Sequence, residues 1–418
     1  MIKFLTSFCG VCALLFATGT ACAQGYPGGE EEAAGAYQGA MDRGTGLHFG
    51  PLRISPEVSF SYCHDFNPTY SASDAQAVDS VRMQPLLDLV LNGNGWDAFG
   101  RGWLTHDFYL GNLDPEYQNT VEKAHYGETL GFSLESPRGT RFSLTEAYEY
   151  QNRNNTVTAL TTTPPGSYNA SWQDRYSFTL GSALDLRLGE KTGMSMGASY
   201  SDLWYDNPAL FGWKSVGGTL GFSRKFTEKS DLLLSMGYDT QWSDGSEDQS
   251  HSYCVLVGVG SSPTAKSSYR AEIGAMGYDF NGGEDTAISW TYNLSGNWRL
   301  SQRLSANVSG TANFQPSETD QNNYTMVQSF AAGLTFEATR RLTTSLQAVY
   351  RREDYAKTDA LSGDRRIDDQ VSAYGRVNYR VWRYTSVFVG ADVSKNVSAI
   401  DTWSYDRLFL ETGVTFRF

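Results

Sequence analysis

This sequence of 418 residues has no long apolar run, no excess of basic charge and few cysteines. After its first residues, no segment approaches the roughly 20 consecutive apolar residues that a transmembrane helix needs, which excludes a helical membrane protein. Lysine and arginine number 33 against 46 acidic residues, and the net charge is −13. Such a chain does not attract nucleic acid electrostatically, so we expect no nucleic-acid partner.

Cysteine usage argues against a disulfide scaffold. Of the five cysteines, Cys9, Cys12 and Cys22 lie in the N-terminal segment, and only Cys63 and Cys254 follow it. Two cysteines are too few to staple a fold of this size. The sequence leaves open whether Cys63 and Cys254 pair with each other.

Catalytic and metal-binding signals are also scarce. The five histidines show no metal-ligand spacing with cysteine, histidine or carboxylate residues. Gly193–Gly197 matches the nucleophile-elbow string around Ser195, but that elbow requires a sharp strand-to-helix turn. Here the string lies inside an alternating strand pattern. We therefore expect no enzyme activity, no cofactor and no metal site.

The N-terminus has the features of a secretory signal peptide. Lys3 supplies a positive charge, an apolar run follows, and Ala21-Cys22-Ala23 forms a small-x-small cleavage site. The apolar run is too short to span a bilayer. We assign 1–23 to the signal peptide, 24–50 to a flexible, glycine-rich periplasmic tail, and 51–418 to one membrane domain.

Alternation of apolar and polar residues with a period of two organises that domain. In the first segment, Leu52, Ile54, Val58, Phe60 and Tyr62 alternate with polar residues, and similar patterns recur further along the chain. One apolar and one polar face are what a strand between lipid and water requires. An aromatic content of 14% combined with low hydropathy is also typical of a barrel. A β-sandwich or propeller is disfavoured because no repeat of fixed period is present.

Turn signals alternate between short and long connections. Short ones include 92–95 and 136–139, and longer ones include 152–169 and 353–366. Short periplasmic turns with longer outer loops are the layout of outer-membrane barrels. The prediction is an all-β, transmembrane antiparallel up-and-down β-barrel of about 18 strands, or 16 if two weak segments are loops. The segment from Asp97 to Leu110 is the least clear, because Gly100 and Gly102 dilute its pattern.

The last strand carries a recognisable signature. Its alternating apolar residues run to the final position, and they resemble the C-terminal signal of bacterial outer-membrane β-barrels at Leu410, Val414, Phe416 and Phe418. That resemblance implies a location in the outer membrane. The implied partners are membrane lipid, lipopolysaccharide and the barrel assembly machinery that reads the signal.

A second resemblance covers about twenty residues. Phe49–Pro56, an aromatic first strand and Asp65-Phe66-Asn67 are similar to the β-barrel porin family associated with exopolysaccharide loci. Phe66 interrupts the acidic-Asn pair that is usual in that family after the first strand. The resemblance implies a porin-like channel or an export role and names no catalytic residues.

Charged residues at inward positions of the predicted strands suggest a hydrated lumen with both signs of charge. The candidate lumen charges are Arg53, Glu57, Arg82, Asp88, Arg141, Glu149, Arg175, Asp185, Arg187, Arg270, Glu272, Arg376 and Arg380, with Arg299, Asp392, Arg407 and Glu411 in the same pattern. Glu128 and Glu146 break the pattern on the apolar face. A bulge that turns them inward, or a covering subunit in a homo-oligomer, would explain them.

The favoured function is that of a porin-like channel for passive diffusion of small hydrophilic solutes across the outer membrane. Acidic segments 244–248, 284–285 and 318–320 predict a weak cation preference at the outer vestibule. The segment 152–169 is the best candidate for an infolded constriction. Alternatives are a polysaccharide-export-associated or structural barrel and, less favoured, a barrel enzyme acting on lipid.

Overall fold

The computed structural model describes residues 46–67, 77–111, 124–154, 172–206, 212–243, 249–280, 285–316, 324–358, 365–400 and 404–418. Over these ranges the chain is built from strands joined by turns. Within these ranges no helix is long and apolar enough to cross a bilayer.

Eighteen antiparallel strands form a closed up-and-down barrel, with one further short strand, β1, at its lower edge. The strands are β1 Leu47–Phe49, β2 Leu52–Asp65, β3 Val78–Asn92, β4 Trp96–Leu110, β5 His125–Glu135, β6 Arg141–Asn154, β7 Trp172–Arg187, β8 Thr192–Tyr205, β9 Trp213–Lys225, β10 Ser230–Ser243, β11 Gln249–Thr264, β12 Ser267–Phe280, β13 Asp285–Arg299, β14 Leu304–Pro316, β15 Tyr324–Glu337, β16 Leu342–Thr358, β17 Arg365–Trp382, β18 Thr385–Ser398 and β19 Tyr405–Arg417. Each strand from β2 pairs with the next, and β19 pairs with β2 to close the wall. The predicted fold class and the count of 18 strands are confirmed.

The connections alternate in length as the sequence indicates. Two- to five-residue turns join β3 to β4, β5 to β6 and their counterparts at one end of the barrel, and segments of four to 17 residues, most of them longer than these turns, separate the strands at the other end. Gly95 and Gly139 in these turns have φ of 78° and 80°. A side chain with a Cβ is strained in that left-handed region, so glycine fits these tight reversals.

The barrel closes through a ladder between the last and first strands. Phe416 lies opposite Val58, and the Phe418 backbone N–H donates to the Pro56 carbonyl at 3.0 Å. Below this point β1 takes over the same edge of β2, with Phe49 opposite Leu52. The pairing thus begins a few residues before the domain boundary expected from the sequence.

The registers place apolar side chains on the outside and polar ones in the lumen. On β2, Phe60 and Tyr62 are exposed on the outer face, whereas Ser59, Ser61 and Cys63 are buried on the inner face. The same alternation holds on β4, the segment with the least clear pattern, and its Gly100 and Gly102 lie on the outer face. Cys63 is a free thiol, so it does not pair with Cys254.

The outer ends of β14 and β15 depart from a regular barrel. Phe314 and Met326 of this hairpin pack against Cys254, Met276 and Tyr278 on the inner face of β11 and β12. The hairpin end therefore bends into the mouth of the barrel, and its contact with β11 and β12 forms an apolar cluster inside the lumen. Among the described residues this is the infolded element; 152–169, for which that role was predicted, falls mostly outside them.

Candidate functional site: the lumen

Strand registers place every predicted lumen charge on the inner face. This inner-face set comprises Arg53, Glu57, Arg82, Asp88, Arg141, Glu149, Arg175, Asp185, Arg187, Arg270, Glu272, Arg299, Arg376, Arg380, Asp392, Arg407 and Glu411. The predicted assembly-signal residues Leu410, Val414 and Phe416 lie on the outer face of β19, and Phe418 is exposed just beyond it.

Arginine–carboxylate pairs line one arc of the lumen, from β17 across the closure to β4. Arg82 donates from Nε and Nη2 to the two carboxylate oxygens of Asp107, at 2.7 and 2.9 Å. Arg101 donates to both oxygens of Asp88 at 2.7 and 3.3 Å. Such forked pairing fixes the guanidinium groups in one orientation, so this charged arc is a rigid surface.

An aromatic side chain joins two of these pairs across the closure. The guanidinium carbons of Arg82 and Arg407 lie 5.1 and 5.3 Å from the centre of the Phe409 ring. Arg407 is in turn held by Asp65, with Nη2 to Oδ2 at 2.5 Å. Two cations on one ring, each paired with a carboxylate, make an ordered cluster where the first and last strands meet.

Several members of the charged arc were absent from the predicted set. Arg101 and Asp107 lie on β4, where the two glycines obscured the alternation. Asp65 was placed after the first strand, and Asp368, just beyond the predicted connection 353–366, was not singled out; it is buried beside Arg366 on the inner face of β17. For Arg101 and Asp107 the signal was the alternation within β4, and for Asp65 and Asp368 it was the alternation continued towards the outer ends of β2 and β17.

The adjoining wall, from β5 to β9, is a smooth wall of mostly short side chains. Most inner positions along the middle of β5 to β9 carry glycine, alanine, serine or threonine, namely Gly127, Thr129, Gly131, Ser133, Ser143, Thr145, Ala147, Ser177, Thr179, Gly181, Ala183, Ser195, Gly197, Ser199, Ser215, Gly217, Thr219 and Gly221. The charged inner residues of these strands include Arg141, Glu149, Arg175, Asp185 and Arg187. Side chains this short leave lumen space open along the wall. The Phe99 ring from β4 lies over Gly131, where an added Cβ would be 2.0 Å from its Cε1.

A cavity of about 370 Å³ occupies the space between the charged arc and the smooth wall. Glu57, Arg101 and Arg376 line it on the charged side, and Thr129 and Thr179 line it on the smooth side. A passing solute would therefore meet paired charges on one side, and small hydroxyl groups with the Glu149 carboxylate on the other.

A second, more buried charge network braces β10 to β12. Arg270 donates to Glu272 at 2.5 Å, and the Ser235 hydroxyl donates to the other oxygen of Glu272 at 2.7 Å. Arg270 and Glu272 are 4% and 1% exposed. Because this pair is deeply buried, it belongs to the wall and not to the open lumen.

The carboxylates Glu128 and Glu146 lie on the outer face of β5 and β6. Glu128 is opposite Tyr148 and Glu146 is opposite Leu130, so the two are diagonal neighbours. The register of β4, β5 and β6 is continuous. The interpretation that a bulge turns these carboxylates inward is therefore wrong.

The remaining chemical candidates fall as follows. Ser195 lies within the unbroken β8 ladder opposite Asp185. His106 faces outward beside Phe108, whereas His125 pairs with the inner-face residue Thr105. Within the described ranges no three metal-ligating side chains come together. The acidic segments 244–248 and 318–320, as well as Glu284, lie outside the described residues.

Known proteins resemble the chain in architecture only. No family model matches it, so the likeness to the exopolysaccharide-associated porins gains no support, and no curated protein matches. Similar solved structures include the F3-3 variant of the FrpB iron transporter from Neisseria meningitidis, at TM-score 0.45 and 8% identity, with 84% of this chain and 62% of that chain covered. Others are OccAB4 from Acinetobacter baumannii, at TM-score 0.42, 9% identity and coverage of 87% and 98%, and OpdQ from Pseudomonas aeruginosa, at 0.41, 11%, 88% and 99%.

The chain spans less than two thirds of the length of that FrpB variant. The structure of the chain itself indicates where the barrel resides. A closed antiparallel barrel with an apolar outer face and a polar, charged interior fits only a bilayer that is crossed by strands. The chain therefore has the fold of an outer-membrane β-barrel.

Proposed function

We propose that this barrel is a channel for passive diffusion of small hydrophilic solutes across the outer membrane. The observation that carries the proposal is the lumen cavity between the charged arc and the smooth wall. Paired charges with short hydroxyl side chains opposite them suit hydrated solutes, which keep water contacts on one side while they pass fixed charges on the other.

Weak binding is the expected mode of recognition. The arginines of the arc are already paired with carboxylates, as in Arg82–Asp107 and Arg101–Asp88. A paired guanidinium keeps some free N–H donors but little net charge, so it attracts solutes without trapping them. Conduction requires this balance, because a solute that binds tightly does not leave.

Single-channel recording in planar bilayers tests the proposal. We expect stable open steps from the folded, purified protein. Thr179→Trp places a large ring on the smooth wall, since Thr179 lines the cavity, and should lower the conductance substantially.

Leu180→Trp is the matched control. Leu180 is the next residue on β7, faces the membrane and is 38% exposed, so its replacement should leave the conductance unchanged. A correctly inserted barrel without conductance would contradict the channel proposal. Equal effects of the two variants would show that the cavity is not the conducting path.

A further inference from the structure

The seam between β13 and β14 is shorter than the two strands that form it. Its register runs only from Tyr292 opposite Ala312 down to Arg299 opposite Ser305. The β12–β13 ladder, by contrast, continues up to Asp285, and the β14–β15 ladder continues up to Pro316. Among the described residues, 285–291 of β13 and 313–316 of β14 have no ladder partner across this seam.

The seam divides because β14 leaves the plane of the wall. Phe314 is on the same strand face as Val308, which is 40% exposed on the outside, yet Phe314 is only 3% exposed. Its ring centre lies 5.8 Å from that of Tyr278, an inner-face residue of β12. At the branch point the Thr291 hydroxyl donates to the Ala312 carbonyl at 2.7 Å. At this end of β14, the strand face that carries Val308 and Phe314 therefore packs against the inner side of the barrel wall.

β13, which stays in the wall, exposes large apolar side chains next to the divided seam. Ile288 and Trp290 on the outer face of β13 are 75% and 74% exposed. A tilted strand crosses the hydrocarbon in about 9–11 residues. Counting upward from Trp298 near the short-turn end, that distance reaches Ile288. The divided seam therefore lies at the level of the outer leaflet.

The wall is sealed immediately below. Tyr292 of β13 and Phe330 of β15 stack with ring centres 5.4 Å apart across β14. Gly310 lies between them, where an added Cβ would be 2.9 Å from the Phe330 ring. The opening is thus confined to the outer half of the membrane and ends at this aromatic stack.

We propose that the opening between β13 and β14 binds the acyl chain of an amphiphile from the outer leaflet, with its polar head on the free edge of β13. Among the described residues this edge of β13 has no ladder partner, and backbone N–H and C=O groups in hydrocarbon need hydrogen bonds, which the polar head of the amphiphile would supply. Ile288 and Trp290 offer an apolar surface for its chain.

An incoming protein strand fits this opening less well. The edge of β14 lies on the lumen side of the wall plane, so one flat strand cannot pair with both free edges. An acyl chain has no such requirement. This binding site goes beyond the channel function and does not depend on it, because it lies in the wall and opens to the membrane.

Cysteine pairs test whether the seam is divided. Continuing the register beyond Tyr292 would place Ser289 opposite Gln315. In the divided seam, Ser289→Cys with Gln315→Cys should not form a disulfide in the folded protein. Asn297→Cys with Asn307→Cys is the matched control, because these residues are register partners of the same pairing type in the closed part of the seam. A disulfide that forms between positions 289 and 315 in the same yield as in the control pair would show a closed seam and overturn the proposal.

Photolabelling tests the occupant. The protein is reconstituted in phosphatidylcholine vesicles with a lysophospholipid that carries a diazirine on its acyl chain. We expect labelling of the peptide containing Ile288 and Trp290 to be lost on competition with excess unlabelled lysophospholipid. Labelling around Val389, which is exposed on β18 but paired on both sides, should not saturate.

Labelling that saturates at neither position would overturn the proposal. So would crosslinking of the Ile288 and Trp290 region to a second copy of the chain, since that outcome assigns the edge to a protein partner. Neither result bears on conductance, so the channel proposal is tested separately.

Discussion

Asp88 is among the most buried charged side chains of the lumen, with 1% of its surface exposed. Its two oxygens accept hydrogen bonds from Arg101, which is 15% exposed. A charge that is removed from water is tolerated only when a partner compensates it. The pair therefore stabilises the wall only as long as both members are present.

We expect Asp88→Ala to lower the free energy of unfolding by about 3 kcal/mol, because Arg101 loses its partner in a mostly buried position. Asp406→Ala is the control, since Asp406 pairs with Lys395 at 3.2 Å and both side chains are well exposed. That change should cost less than about 1 kcal/mol. Urea unfolding in lipid vesicles, followed by tryptophan fluorescence, measures both. Equal losses would mean that lumen water already solvates the Asp88 pair.

The sequence predicts which side of the barrel wall a side chain faces, but it does not predict which residue that side chain pairs with. Alternation placed Arg82 and Asp88 in the lumen, and registers put both there. Their partners Asp107 and Arg101 come from β4, whose outward glycines weaken the apolar half of the pattern. Ion pairing between strands depends on their relative register, and the pattern within one strand does not determine that register. The arginine–carboxylate pairs of the charged arc could therefore not be predicted from composition or alternation.

Among the strands, β5 and β6 are unusual because each has a carboxylate, Glu128 or Glu146, on its membrane-facing side. Glu146 lies between Leu130 and Leu180 of the adjacent strands, well inside the apolar band. A carboxyl group at that depth is costly in lipid. It either lowers the stability of the isolated barrel or meets a partner subunit.

For the isolated barrel we expect Glu146→Leu to raise the free energy of unfolding by about 1–2 kcal/mol, because it removes a polar group from the lipid face. Glu149→Leu is the control on the same strand, since Glu149 faces the lumen cavity and should gain nothing. Unfolding in vesicles measures both. A loss of stability, or dissociation of an oligomer, in Glu146→Leu would instead support a subunit interface. Unchanged assembly in Glu128→Leu with Glu146→Leu would remove that interface.

The sequence predicts strands β13 and β14 but not the point at which the hydrogen-bonded ladder between them ends. Ile288 and Trp290 alternate with polar residues, as do Ala312 and Phe314, so both strands are correctly indicated by sequence. The alternation continues without interruption where the ladder stops. Packing of Phe314 against Tyr278 decides that β14 bends inward. This contact joins strands distant in sequence and leaves no local signal.

For the whole molecule, the question is where the excess negative charge lies. Many of the described lumen carboxylates are paired with arginine, as at Asp65, Asp88, Asp107 and Glu57. Such pairs contribute little net field. The net charge of −13 is therefore concentrated elsewhere, and the acidic segment between the end of β10 and the start of β11, at the long-connection end, contributes three carboxylates.

These outer carboxylates should give the channel a cation preference that depends on salt. The Debye length is about 10 Å at 0.1 M and about 3 Å at 1 M, so charges at the vestibule act on passing ions mainly in dilute salt. We expect a reversal potential that favours cations under a gradient of dilute KCl and falls towards neutrality in concentrated KCl. Neutralising Asp244, Glu247 and Asp248 to the corresponding amides should remove most of the preference. Glu190→Gln, in the exposed turn at the opposite end of the barrel, should leave it in place. A reversal potential that survives loss of the outer acids would place the selectivity in the lumen arc instead, with Glu57 and Glu149 as the next residues to neutralise.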